Sequence, residues 1–355
     1  MRALAGEASY QLVRTSEDTP LDPQSAAAYY PLRHRCVLAH MLASKWWRGY
    51  CVNKSRIYIL TLMFIAALAC SVEMYDQVNA PMAAGTVRLW ITATEMGHPV
   101  NDLKKEDLQL WIGKQEQSIS VLAFNPPEPL KVGLLIDTSG SRRAQWPGPE
   151  ISLAPGFFRQ VIRPGDQAFI IDFNTKPLID ADLTGDLSVL DHGLERLAAV
   201  RPYRGSALYD AIEAACDQRE AGGPTHRALV VITDGVDNSS MHRLDQAMVV
   251  VRRTGTQLYV IGTVFEPFHS ESTLSRSALE AAYTLRSIAR ATGGRFFPTS
   301  NKHEMESGFN SIVEVLRAQY ALEFQPAAVS PGKKGNRIEI KCSRSSVKVI
   351  APEEY

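Results

Sequence analysis

The sequence is poor in cysteine, and the few it has are not spaced to work in pairs. Cys36, Cys51, Cys70, Cys216 and Cys342 are scattered over 355 residues with no CxxC between them. A zinc site of paired thiolates, a redox motif and a disulfide framework are therefore not expected. Charge of one sign is lacking too: 38 Lys and Arg face 38 Asp and Glu. That balance gives no field suited to holding nucleic acid. No GxxxxGK[ST], GxSxG, GxGxxG or HExxH occurs, so no nucleotide cradle, nucleophile elbow or metalloprotease helix is present, and no nucleotide partner is expected. Long apolar runs are missing except for one of 16 residues. With 45% apolar and 21% charged residues, the composition is that of a globular protein rather than a disordered, collagen-like or polytopic membrane chain.

That one apolar run, IYILTLMFIAALACSV at 57–72, follows Lys54 and Arg56. It is short for a spanning helix, which needs about 20 residues. Its flanks match a secretory signal with Ala67 and Ala69 as an A-x-A site, or an uncleaved anchor. Cleavage after Ala69 would make Cys70 the first mature residue, which resembles a lipoprotein signal, although Ala67 stands where Leu is preferred. Residues 1–53 show no sustained periodicity. Val52, as an alternative start, would place the charged stretch where a signal peptide needs it. The expected organisation is a low-order extension over 1–53 and a signal peptide or membrane anchor over 54–72. An exported protein of the cell envelope follows, either periplasmic or held to the membrane through this segment.

Past the signal, apolar and polar residues alternate through Val87, Leu89, Ile91 and Ala93, then through Leu108, Leu110 and Ile112. This is the pattern of half-buried antiparallel strands. It predicts a small β module over 86–125, closed by Pro126, Pro127 and Pro129. From Lys131 the pattern changes to continuous apolar strands at 132–136, 168–173, 228–233 and 258–263. Helical stretches at 187–198, 207–218, 244–252 and 277–291 separate them. Strands apolar on both faces, alternating with helices, predict a doubly wound, mostly parallel, Rossmann-like α/β domain over 131–318. A C-terminal β extension over 319–355 completes the chain.

Ligands of such sheets gather at the carboxyl ends of the strands. The first of these strands ends in Asp137, Thr138, Ser139, Gly140 and Ser141. Gly205 and Ser206 precede the helix at 207, and the strand at 228–233 runs into Asp234 and Gly235. Together they bring two carboxylates and three hydroxyls to one rim. All are oxygen donors, which suits Mg²⁺, with Mn²⁺ or Ca²⁺ as alternatives.

DTSGS at 137–141, GSALYDA at 205–211 and VVITDG at 230–235 resemble the metal-ion-dependent adhesion site (MIDAS) of von Willebrand factor type A (vWA) domains. The flanking strands and the tail from 316 onward resemble the VWFA-related family abundant in Acidobacteria. The resemblance implies a divalent cation on Asp137, Ser139, Ser141, Ser206 and Asp234, with Ser206 standing where threonine is usual. It implies a protein partner that offers an Asp or Glu carboxylate to the cation. Two other readings stand beside it. One is an envelope protein whose cation only staples loops. The other is a Mg-dependent phosphohydrolase, which Ser139 disfavours because it occupies the place of that chemistry's second Asp. An enzyme is not expected.

Other residues read as structural. Tyr209 and Asp210 suit a helix start, and Cys216 and Cys342 suit a core. His226, His242, His269 and His303 stand alone and read as surface or loop. The loop at 266–276 is expected to help select the partner, and a C-terminal helix over 305–317 could move with ligand binding.

Overall fold

A computed structural model describes residues 85–217, 226–263, 276–326 and 337–355, all within one compact unit, 81–355. The expectations for the leader, for Cys70 and for His269 lie outside the described residues, as does the loop at 266–275. Among the described residues, no helix is long and apolar enough to cross a membrane.

The chain enters as β1 (Val87–Glu95), whose Leu89, Ile91 and Ala93 are buried. It turns through Met96 and Gly97, both at positive φ, into β2 (His98–Pro99). Three short strands follow: β3 (Leu108–Ile112), β4 (Gln115–Gln117) and β5 (Ile119–Phe124). Next comes β6 (Leu130–Asp137), buried along its whole length. The helix α1 (Pro149–Val161) begins on a proline, which the first helical turn tolerates because its N–H has no partner there. Then come β7 (Gln167–Phe173), β8 (Pro177–Thr184) and α2 (Leu187–Ala198), whose N-cap Asp186 accepts from the Ser188 amide. They are followed by α3 (Leu208–Cys216), β9 (His226–Thr233) and α4 (Leu244–Thr254). The chain continues through β10 (Gln257–Thr263), α5 (Arg276–Ala291), β11 (Phe296–Thr299) and α6 (Lys302–Leu316). It ends with β12 (Gln319–Phe324), β13 (Ile338–Cys342) and β14 (Val347–Ile350).

Six strands form the largest sheet, in the order β11-β10-β9-β6-β7-β8. Neighbours pair in parallel except β8, which runs antiparallel to β7 at one edge. The strands are apolar on both faces because both faces are covered. Val132, Leu134 and Ile136 pack with side chains of α1, α2 and α6, while Leu135, Val231 and Val260 pack with α3, α4 and α5. The molecule is therefore mixed α/β. The strands of the other two sheets pair antiparallel.

Those two sheets join the segments on either side of the large one. In one, the order is β14-β1-β12-β5, with β1 running antiparallel to β12 from Val87↔Phe324 to Thr92↔Gln319. In the other, the order is β13-β3-β4. Leu89, Ile91, Leu110, Tyr320, Leu322 and Ile338 share one core between them. Neither flanking segment, at about 40 residues, is long enough to bury a core alone.

Outside the small β module, the sequence pattern does not announce α1, β8 and β11. His226 requires a correction. Its sequence context reads as surface or loop, yet it is 4% exposed, and its ring stacks on Trp90 with centroids 4.0 Å apart. Burial pushes its pKa down to about 4. The error has a physical cause: Trp90 lies on β1, 136 positions away in sequence, and no local pattern announces that β1 crosses the start of β9. Cys216 is buried, and Cys342 is half-buried against the third core.

Candidate metal centre

The site forms where β6 and β9 end side by side. These strands are parallel neighbours with Ile136 opposite Ile232, so the next residues, Asp137 and Thr233, are neighbours as well. The Thr233 hydroxyl donates to Asp137 Oδ2 at 2.6 Å. Beyond β6 the chain folds back, and the Ser139 amide donates to Asp137 Oδ1 at 2.8 Å. A 3₁₀ turn over Gly140–Gln145 carries Ser141. Ser139 Oγ and Ser141 Oγ are 3.0 Å apart, and Ser141 Oγ donates to Asp234 Oδ2 at 2.7 Å. Ser206 Oγ approaches Asp137 Oδ2 at 3.4 Å. The five predicted side chains thus come together as one hydrogen-bonded group drawn from three loops.

The loop bearing Ser206 is held from two sides. The Tyr203 amide donates to the Thr138 carbonyl at 3.0 Å, and the Ser206 amide donates to Asn238 Oδ1 at 2.9 Å. The amides of Asn238 and Ser239 return to the Ser206 carbonyl at 3.0 and 3.1 Å. Two glycines make the close approach feasible. Gly205 and Gly235 precede Ser206 and follow Asp234 with φ of +83° and +87°, a region costly for other residues. A Cβ on Gly205 would strike Ser239 Oγ, and one on Gly235 would strike Leu285.

A further layer supports the first strand end. The Thr138 hydroxyl donates to Asp172 Oδ2 at 2.7 Å and accepts from Asn174 Nδ2 at 3.2 Å. Burial raises the pKa of Asp172. Burial, aided by the charge of Asp172, pushes Asp180 up to about 7. Arg142, just past Ser141, forms a buried pair with Glu150 at 2.5 Å, tying the turn to the start of α1.

Electrostatically the centre is under-compensated. Asp137 is fully buried. Burial raises its pKa and the nearby Asp234 charge adds to the rise, against hydrogen bonds from Ser139 and Thr233. Among the described residues, neither carboxylate has an ion-pair partner. Also among them, no cluster of three or more His, Cys, Asp or Glu could hold a metal; this centre has two carboxylates and three hydroxyls. Two closely placed acids joined to hydroxyls, with no basic side chain between them, fit a small hard cation.

Thr233, Thr138, Asp172 and Asn238 belong to this arrangement and were not singled out from the sequence. Thr233 and Asp172 stand at strand ends, so the rule that pointed to Asp137 could have found them. Asn238 carries no such signal. Asp210 lies in the first turn of α3, the helix start expected of it, and also accepts the amides of Met241 and His242, each at 2.9 Å. His242 lies on that loop, 2.8 Å from Asp210, and His303 is exposed at the start of α6.

No family model matches the chain, and no curated protein matches it. Solved structures similar to it include BatB from Bacteroides thetaiotaomicron, at 20% identity over 52% of this chain and 98% of that one, with a TM-score of 0.40. Another is proximal thread matrix protein 1 from the mussel byssus, described with a zinc-occupied MIDAS motif. It has 15% identity over 58% of this chain and 49% of that one, and a TM-score of 0.43. A third is the vWF domain of the pilus tip protein Mfa5 from Porphyromonas gingivalis, at 12% identity over 53% and 94%, with a TM-score of 0.42.

Proposed function

We propose that residues 131–318 form a doubly wound vWA domain that recognises a protein partner through a divalent cation, Mg²⁺ foremost, at Asp137, Ser139, Ser141, Ser206 and Asp234. The observation that carries this reading is the joining of these five side chains, from three loops, around two carboxylates that have no ion-pair partner among the described residues. When bound, the cation supplies a positive centre able to accept an outside Asp or Glu carboxylate as a charge-assisted contact. The chain's own residues hold that centre. Asp137 anchors it from the strand end, and Thr233 and the Ser139 amide fix the carboxylate's orientation. Asp234 and the serines close the rim.

The loops are already bound to one another directly, through Tyr203 to Thr138, Asn238 to Ser206 and Thr138 to Asp172. This favours recognition over a cation that only staples loops. In this proposal the protein is exported to the cell envelope, its leader over 54–72 acting as signal or anchor. The module of 86–125 is completed by 319–355 and braces the domain.

Titration calorimetry of the full-length chain with Mg²⁺, Mn²⁺ and Ca²⁺ tests the reading. One-site uptake is expected for the native chain and none for Asp137→Ala. Absence of uptake of all three ions by the native chain would refute it.

A further inference from the structure

The two loops that cross at the cation site carry an arginine bank. Arg143 lies two residues beyond Ser141, and its Nη2 donates to the Pro202 carbonyl at 3.1 Å, binding the first loop to the second. Arg204 lies two residues before Ser206, and its Cα would sit 3.7 Å from a Cβ placed on Gly140. Arg201 precedes them on the same loop. All three arginines are exposed, and among the described residues none has an ion-pair partner. Tyr203, 57% exposed, stands among them, bridged through its backbone to Ser139.

The opposite bank does not balance this charge. Asp237 accepts from the Tyr209 amide at 3.1 Å and from the Ser240 hydroxyl at 2.5 Å. Asp210 is engaged by His242. Val236, beside Asp234, is 39% exposed. In a chain of zero net charge, this gathering of free positive charge beside one site is a local property of the rim.

We infer that the partner segment is acidic at more than one position, with one carboxylate on the cation and at least one more on the bank formed by Arg143, Arg201 and Arg204. This rests on the cation reading given above and extends it to the chemistry of the partner. A guanidinium binds a carboxylate through two parallel N–H donors, which also sets the direction in which the segment lies. Complementary charge of this kind raises the association rate and excludes neutral or basic competitors.

The test is fluorescence anisotropy of the full-length chain in millimolar Mg²⁺ with two labelled peptides, Gly-Gly-Asp-Gly-Gly and Glu-Glu-Asp-Glu-Glu. The second is expected to bind about tenfold more tightly, with the difference shrinking as salt is added. The triple variant Arg143→Ala/Arg201→Ala/Arg204→Ala should bind both peptides alike, while its Mg²⁺ uptake matches that of the native chain and its thermal midpoint falls only slightly through loss of the Arg143–Pro202 bond. The inference is overturned if the native chain does not distinguish the peptides or if the triple variant still does. It is also overturned if labelled oligothymidylate binds more tightly than either peptide. The cation reading fails separately if EDTA leaves both peptides bound, whatever the arginine variant does.

Discussion

The two ends of the six-stranded sheet treat buried polar groups in opposite ways. At the amino end, where the antiparallel module docks, opposite partners meet. Asp166 pairs with Arg317 and accepts the amides of Leu130 at 2.7 Å and Arg163 at 2.8 Å. Gln257 donates to the Trp90 carbonyl, and Gln319 donates to Thr92 Oγ1 at 3.0 Å and to the Tyr259 hydroxyl at 3.1 Å. At the carboxyl end, acid lies near acid, Asp137 by Asp234 and Asp172 by Asp180, and among the described residues none of these four is in an ion pair, although the Arg142–Glu150 pair is buried close by. Matched burial holds a structure together, whereas mismatched burial keeps a site receptive to an ion from outside. In the proposed reading, the same sheet thus keeps its stabilising contacts at one end and its ion site at the other.

The strongest break in this comparison is expected at the amino end. Trp90 is 8% exposed and stacks on His226. Trp90→Ala removes a large packed ring from the junction and should cost about 3 to 5 kcal/mol in urea unfolding. Mg²⁺ uptake by the folded protein should be unchanged. A loss below about 1 kcal/mol would mean that the module rests on the sheet without bracing it.

A smaller effect at the same junction depends on pH. His226 titrates near 6.5 when unfolded and at about 4 when folded, so between those values the unfolded chain binds the extra proton. Stability is then fully present above pH 6.5 and falls as pH drops toward 4, by about 3 kcal/mol at most. Urea unfolding at pH 7 and pH 4.5 should show most of this loss in the native chain. In His226→Phe, which keeps the stacked ring and removes the proton site, the loss should be smaller by about 2 to 3 kcal/mol. An equal pH dependence in both proteins would show that the imidazole is not the group responsible.

The two ends also differed in how far they could be read from sequence. The carboxyl end was legible because its chemistry is local. DTSGS, GSALYDA and VVITDG each occupy a few consecutive positions, and continuous apolar runs such as 132–136 announce where strands stop. The amino end was not, because its chemistry is a meeting of distant residues. Trp90, His226, Gln257 and Gln319 come from four elements, and each looks ordinary in its own stretch. The missed elements follow a similar rule. PLIDADLT in β8 is an edge strand with half-exposed Leu178 and Ile179, so it lacks the continuous burial that marks its neighbours. PEISLAPGFFRQV in α1 contains prolines at both Pro149 and Pro155, which obscure a helical pattern whose buried Phe157, Phe158 and Val161 face the sheet.

The finest test of the comparison sets charge against hydrogen bonding at Asp137. Asp137→Asn keeps the side chain's shape and one carbonyl acceptor while removing the charge that is buried beside Asp234. If the carboxyl end holds its acids against their own repulsion, the asparagine variant in EDTA should be more stable than the native chain, by about 1 kcal/mol. Saturating Mg²⁺ should then reverse the order, because ligand stabilises only a protein that binds it, and the native midpoint should rise while that of the variant stays fixed. The decisive measurement is the pair of thermal midpoints with and without Mg²⁺. A variant less stable than the native chain in EDTA would mean that the hydrogen bonds from Thr233 and the Ser139 amide to the ionised carboxylate outweigh the repulsion. Asp137 would then be a structural hub of the kind found at the other end of the sheet, and the contrast between the two ends would be one of ligand capacity alone.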